Sequence, residues 1–225
     1  MKKHGRRSAN TGNGSAMTMP ERIMLNTLLD ESSISRNKLR NFAHAALEGA
    51  VFVYPTETIY GIGGAYDVHG VKEKILSAKK RQFKRRMILI APDRTAFYRL
   101  PVVFTSSAER LSRFLWPGRV TMVLPSPEAE EGIAVRVSHH PFIKAVFPYI
   151  NRPLYSTSAN LSDEAYRNVP EHIFSVFSGS IDFFIDAGPL PPSPPSTIVK
   201  IEEDDTVTVL REGAVTSQEI FSALH

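Results

Sequence analysis

Apolar residues recur at helical spacing through Ile34, Leu39, Phe42, Ala43, Ala46 and Leu47, with Gly49 following as a C-cap. The four apolar residues 51–54 then read as a buried strand, and the chain beyond Tyr54 enters what reads as a glycine-rich turn at Gly61-x-Gly63-Gly64. The same alternation repeats. A helix around residues 71–79 precedes the apolar run 87–90. A second helix opens at the capping-box signal Ser106-x-x-Glu109, presents Leu111, Phe114 and Leu115, and stops at Pro117-Gly118. Strands are predicted over 120–124 and 133–137, a helix near 142–150 before a strand at 153–156, and a helix near 170–177 before a strand at 181–185. Residues 197–201 and 206–210 flank the polar turn 202–205 as a hairpin, and a short helix covers 216–224. Helices interleaved with strands that include a hairpin predict an α/β fold with a mixed sheet.

Composition changes this picture little, and charge changes it more. The 225 residues are 42% hydrophobic and 22% charged, as in an ordinary folded protein. No cysteine is present, which excludes disulfides, thiolate nucleophiles and cysteine-held metals. No apolar run approaches the roughly 20 residues of a membrane helix and no secretory signal opens the chain, so a cytoplasmic protein without membrane contact is expected. The net charge of +4 comes from the first 19 residues, where Lys2, Lys3, Arg6 and Arg7 face no acid. Those residues read as a disordered basic tail, with Met17, Met19 and Met24 as alternative starts, and residues 20–225 as a single domain. Five prolines within 189–195 read as a rigid loop of that domain. The formally neutral body concentrates its positive charge over residues 72–86, where Glu73 is the only acid.

Four segments carry candidate chemistry. Lys79-Lys80-Arg81-Gln82-Phe83-Lys84-Arg85-Arg86 runs from a helix end towards a buried strand, where like charges repel unless an anion such as phosphate neutralises them. Ser156-Thr157-Ser158-Ala159-Asn160-Leu161-Ser162 places hydroxyls and an amide just after a predicted strand, a place where α/β folds bind ligands and equally one for an ordinary polar turn. Arg136 interrupts an apolar strand and needs an anion, either a structural carboxylate or a substrate. The Gly61–Gly64 segment is neither a dinucleotide fingerprint nor a P-loop, and no Gly-x-Ser-x-Gly or His-Glu-x-x-His occurs. His139-His140 reads as a turn with Pro141, and Trp116 as a core residue.

In order along the chain, Pro55-Thr56-Glu57-Thr58-x-Tyr60-Gly61, Lys79-x-Arg81, Trp116-Pro117-Gly118 with Thr121, Val135-Arg136-Val137 with His140-Pro141, Ser156-Thr157-Ser158-Ala159-Asn160-x-Ser162, Ser196-Thr197-Ile198-Val199 and Leu210-Arg211-x-Gly213 resemble the YrdC/TsaC family of L-threonylcarbamoyladenylate synthases. The resemblance covers about residues 35–215 and matches the family's short, single-domain form. It implies a YrdC-like twisted mixed sheet with flanking helices around a large basic cavity. It implies condensation of L-threonine, bicarbonate and ATP, with Mg2+, into threonylcarbamoyl-AMP and pyrophosphate, for modification of position 37 of tRNA by partner proteins. Carried over residue by residue, Thr58, Arg136 and Ser196 would hold threonine. Lys79 and Arg81 would be catalytic and, with Arg85, would hold the triphosphate. Ser156, Ser158, Asn160 and Arg211 would complete the ATP site. The chain departs from the family pattern at Arg86-Met87, Ile90, Arg119, Asp163 and Lys200, and Arg86 and Lys200 would make the neighbourhood more positive. The alternatives are a non-catalytic module binding double-stranded RNA or tRNA through the same cavity and tail, and a paralogue using another carbamoyl or nucleotide substrate.

Overall fold

The computed structural model describes residues 19–80, 87–162 and 164–225. The basic tail up to residue 18, Arg81 to Arg86 of the basic run, and Asp163 lie outside the described residues.

Ten strands form one mixed sheet. In chain order they are β1 (Glu21–Met24), β2 (Phe52–Tyr54), β3 (Gly61–Ala65), β4 (Ile88–Ala91), β5 (Val120–Leu124), β6 (Ile133–Val137), β7 (Leu154–Ser158), β8 (Phe183–Asp186), β9 (Thr197–Ile201) and β10 (Val207–Arg211). Across the sheet the order is β1-β8-β2-β3-β7-β4-β6-β5-β9-β10. The neighbours β1/β8, β2/β8, β4/β6 and β5/β9 are parallel and the others antiparallel. The helices are α1 (Asn26–Leu29), α2 (Ser33–Leu47), α3 (Val71–Ala78), α4 (Ser106–Leu115), α5 (Pro141–Ile150), α6 (Pro170–Phe177) and α7 (Ser217–Ser222).

Strand alternation explains how both faces fill. In β2, Phe52 and Tyr54 point into the cluster roofed by α1, α2 and α5, while Val53 joins the opposite cluster under α3 and α6. Phe42 of α2 meets Phe52, Phe142 and Phe183 edge-on at 4.8, 5.6 and 5.2 Å, a geometry that adds about 0.5–1.5 kcal/mol per pair beyond area burial. A third cluster packs α4 and α7 against β4, β5, β6 and β9. Among the described residues no helix is long and apolar enough to cross a membrane.

Several expectations are corrected. Ile34 is 66% exposed and Leu47 is also exposed, so the buried stripe of α2 is Ser35, Leu39, Phe42, Ala43 and Ala46. The N-cap of α4 is Thr105, whose side chain accepts from Ala108 N, and Glu109 instead pairs with Arg94 at 2.6 Å. Gly61–Gly64 form no turn but the central strand β3. Glycine disguises it because β-propensity reports side-chain packing, and here the packing partner is backbone. A Cβ on Gly63 would stand 1.8 Å from the Tyr155 carbonyl oxygen across the β3/β7 pair.

Candidate active site

The Gly61↔Ser158 and Gly63↔Ser156 pairings set a hydroxyl-bearing strand directly beside a strand with almost no side chains. The space left is a cavity of about 140 Å³, and its walls include Thr58, Arg136, Ser156, Ser158, Ser196 and Arg211. Six of the ten residues singled out in the sequence therefore converge, from five separate stretches of chain. The volume is well below the roughly 300–1,000 Å³ of pockets for drug-sized ligands, so the described walls enclose room for a small polar molecule. A larger cavity of about 560 Å³, at the far end of β3 and β7 beside Tyr66 and Pro153, contains none of the ten.

Ser156 ends the predicted strand and Ser158 lies two residues beyond it, but both are inside β7, which runs on to Ser158. Asn160 sits in the following turn, where its Nδ2 donates to the Glu164 carbonyl at 2.6 Å and its Oδ1 is buried without a partner among the described residues. Lys79 caps the C-terminal end of α3 and is 2% exposed. Its ammonium donates to the carbonyls of Ser158 and, at 2.6 Å, of Asn160, so it fastens the turn that follows β7. Arg81 and Arg85 lie outside the described residues.

Arg136 on β6 makes three hydrogen bonds through its guanidinium. Its Nε donates to the Gly118 carbonyl at 2.8 Å, Nη2 to Glu57 Oε2 at 2.6 Å and Nη1 to Thr58 Oγ1 at 3.3 Å. The sequence left open whether its anion is structural or a substrate, and the bonded one is the carboxylate of Glu57. Glu57 completes its coordination with Ser138 Oγ at 2.7 Å and His140 N at 2.9 Å. Burial pushes the Glu57 carboxyl up, but the Arg136 charge and the Ser138 hydrogen bond outweigh it and hold the group below the ordinary carboxylate range. Burial likewise pulls Arg136 down against the opposing pull of Glu57. The turn Trp116-Pro117-Gly118 serves this arginine through its last carbonyl. A Cβ on Gly118 would stand 2.6 Å from the Leu115 carbonyl oxygen.

His140 is pulled down to about 4, mainly by burial, and its neutral Nδ1 accepts from Phe142 N at 3.2 Å as the N-cap of α5. Among the described residues no cluster of His, Asp or Glu could hold a metal ion, and both Glu57 oxygens are already occupied. Ser196 Oγ lies 2.9 Å from Thr121 Oγ1, and Arg211 Nη2 donates to the Ser196 carbonyl at 2.7 Å. Lys200 pairs with Glu202 at 2.6 Å beside a separate cavity that Glu130, Glu203 and Asp204 also border, so it adds nothing to the positive wall. Ile90 is buried in β4. Glu57, Ser138 and Thr121 escaped selection as site residues. The signal for Glu57 was the arginine inside an apolar strand, which demanded an acid from elsewhere in the chain.

The Sua5/YciO/YrdC family model, described as telomere recombination, matches residues 44–213. The threonylcarbamoyl-AMP synthase of Bacillus subtilis strain 168 is 30% identical over 200 residues, 85% of this chain and 58% of that protein. The chain thus spans under two thirds of the length of that relative. Among solved structures, a variant of P. abyssi Sua5 superposes with a TM-score of 0.80 at 27% identity, over 91% of this chain and 63% of that one. P. abyssi Sua5 complexed with L-threonine gives 0.77 at 25%, over 92% and 61%. E. coli YciO, at 22% identity and a TM-score of 0.75 over 91% of this chain and all of that one, shares the fold.

Proposed function

The chain belongs to the Sua5/YciO/YrdC family, and from that premise we propose that it condenses L-threonine, bicarbonate and ATP into threonylcarbamoyl-AMP and pyrophosphate. The product would supply the threonylcarbamoyl group that partner proteins place on position 37 of tRNA. The observation that carries this reading is the juxtaposition of Arg136 Nη1 and Thr58 at the wall of a small cavity lined by hydroxyls. Such a pocket suits a small amino acid whose carboxylate needs a guanidinium and whose other groups need short hydrogen-bond partners.

In the proposed reaction the threonine amine nitrogen bonds the carbon of CO2 and gives up a proton, or bonds the carbon of bicarbonate as a C–O bond breaks and water leaves, to give a carbamate. A carbamate oxygen then bonds the α-phosphorus as the bond to the pyrophosphate oxygen breaks, and the electron pair leaves with pyrophosphate. The protein is asked for little covalent chemistry. Positioning two anions in line and stabilising charge at phosphorus supply most of the effect. Thr58, Arg136 and Ser196 would hold the amino acid, and Ser156, Ser158 and Asn160 the carbamate and nucleotide. Lys79, Arg81 and Arg85 would face the triphosphate, with Arg211 closing the site. Mg2+ would arrive on the triphosphate, where it commonly keeps several waters.

Pyrophosphate release with each substrate omitted in turn tests the proposal. Release is expected only when threonine, bicarbonate and ATP are all present. Release that continues without threonine overturns it and favours a paralogue with another substrate. RNA binding that persists without ATP, in a protein that releases no pyrophosphate, favours the non-catalytic module.

A further inference from the structure

A guanidinium carries five N–H donors in a planar fork, and its value in holding a carboxylate rests on presenting two of them in parallel. In this protein one such edge, formed by Nε and Nη2, is already committed. Nε of Arg136 faces the Gly118 carbonyl and Nη2 faces Glu57, so Nη1, beside Thr58, is the nitrogen next to a cavity-lining hydroxyl. Glu57 is fastened in turn. Oε2 takes Arg136, Oε1 takes Ser138 Oγ and the His140 amide, and its side chain is 6% exposed. His139 Nδ1 also lies 3.5 Å from Oε1. The Arg136–Glu57 pair itself is buried, at 5% and 6% side-chain exposure.

From this arrangement we infer that Glu57 is a positioning residue. It sets the Arg136 guanidinium so that Nη1, beside Thr58, is the nitrogen presented to the carboxylate of the amino acid. The inference rests on the amino-acid reading above and deepens it. The Arg136–Glu57 unit sets the direction of the bond, so the rest of the amino acid lies in one orientation beside Thr58.

The test pairs a kinetic measurement with a spectroscopic one. In Glu57→Gln the acceptor for Nη2 is weakened while the volume is kept. The KM for L-threonine should rise about tenfold, which corresponds to about 1.4 kcal/mol, with the KM for ATP within twofold of wild type. In 15N spectra of the ligand-free protein, the Arg136 side-chain nitrogens should be resolved in wild type and averaged by rotation in the variant. A folded Glu57→Gln protein with an unchanged threonine KM overturns the inference. A wild type that never uses threonine defeats the functional reading, but the spectra still decide the positioning role, and an unchanged Arg136 signal overturns it. If Glu57→Gln does not fold, Ser138→Ala removes one support of Glu57 and should raise the threonine KM about threefold. No rise there overturns the inference as well.

Discussion

The Lys79 ammonium lies 2.6 Å from the Asn160 carbonyl oxygen, which joins the end of α3 to the turn beyond β7. A lysine expected to meet only phosphate is thus also a structural tie. Replacing it with methionine leaves two carbonyls without their charged donor, and hydrogen bonds to charged groups contribute about 1.5–3 kcal/mol each. Lys79→Met is expected to lose pyrophosphate release and at least about 2 kcal/mol of stability in urea titrations. Lys79→Arg should restore neither, because a planar fork does not fit a site shaped for a compact ammonium. A fully stable Lys79→Met protein would refute the structural half.

Gly63→Ala should be among the most damaging single-methyl changes in the chain. The added carbon would fall 1.8 Å from backbone that no side-chain rotation can clear. Separation of β3 from β7 should follow, with loss of more than about 3 kcal/mol and little soluble protein. Circular dichroism and the yield of folded protein read this directly.

These two positions show where sequence reasoning succeeded and where it stopped. The strands over 120–124, 133–137 and 197–201 and the helices over 106–115 and 170–177 were legible because apolar periodicity and stop signals agree there. β3 was not legible, since Gly61, Gly63 and Gly64 have no side chain to report a face. β1 and α1 were missed because four residues each are too few to establish a period. Motif order brought Thr58, Arg136, Ser156, Ser158, Ser196 and Arg211 to one cavity. It could not reveal that Arg136 is already bonded to an acid, because that pairing spans residues 57 to 136 and exists only in the folded sheet.

Removing that arginine should therefore act on stability as well as on ligand binding. Arg136→Ala strands a carboxylate that is 6% exposed, and breaking a buried pair from one side costs about 3–5 kcal/mol. The double variant Arg136→Ala with Glu57→Gln should lose less than the sum of the two single changes. Equilibrium unfolding of the four proteins measures the coupling, and simple additivity would contradict it.

Acid should weaken the fold through His140. Its folded pKa of about 4 lies below the roughly 6.5 of an unfolded histidine, so below pH 6.5 the unfolded chain takes up a proton that the folded chain refuses. The stabilisation from neutral His140 is complete above pH 6.5 and is lost as pH falls towards 4, an effect on the order of 3 kcal/mol at most. Glu57, also depressed, loses its contribution in the same direction at lower pH still. His140→Asn keeps a capping acceptor without a titrating group. Its unfolding free energy should fall less than that of wild type between pH 6.5 and 4, and parallel curves would mean that His140 titrates normally.

The pairing of β1 with β8 has a consequence during synthesis. Residues 21–24 find their parallel partners at 183–186, and Arg22 finds Asp186 there. At a synthesis rate of about 5–20 residues per second, the first strand waits roughly ten to thirty seconds for its neighbour to be made. Until then both of its edges are open to other chains. A ribosome-bound chain of this protein therefore holds β1 undocked until residues 183–186 have been made.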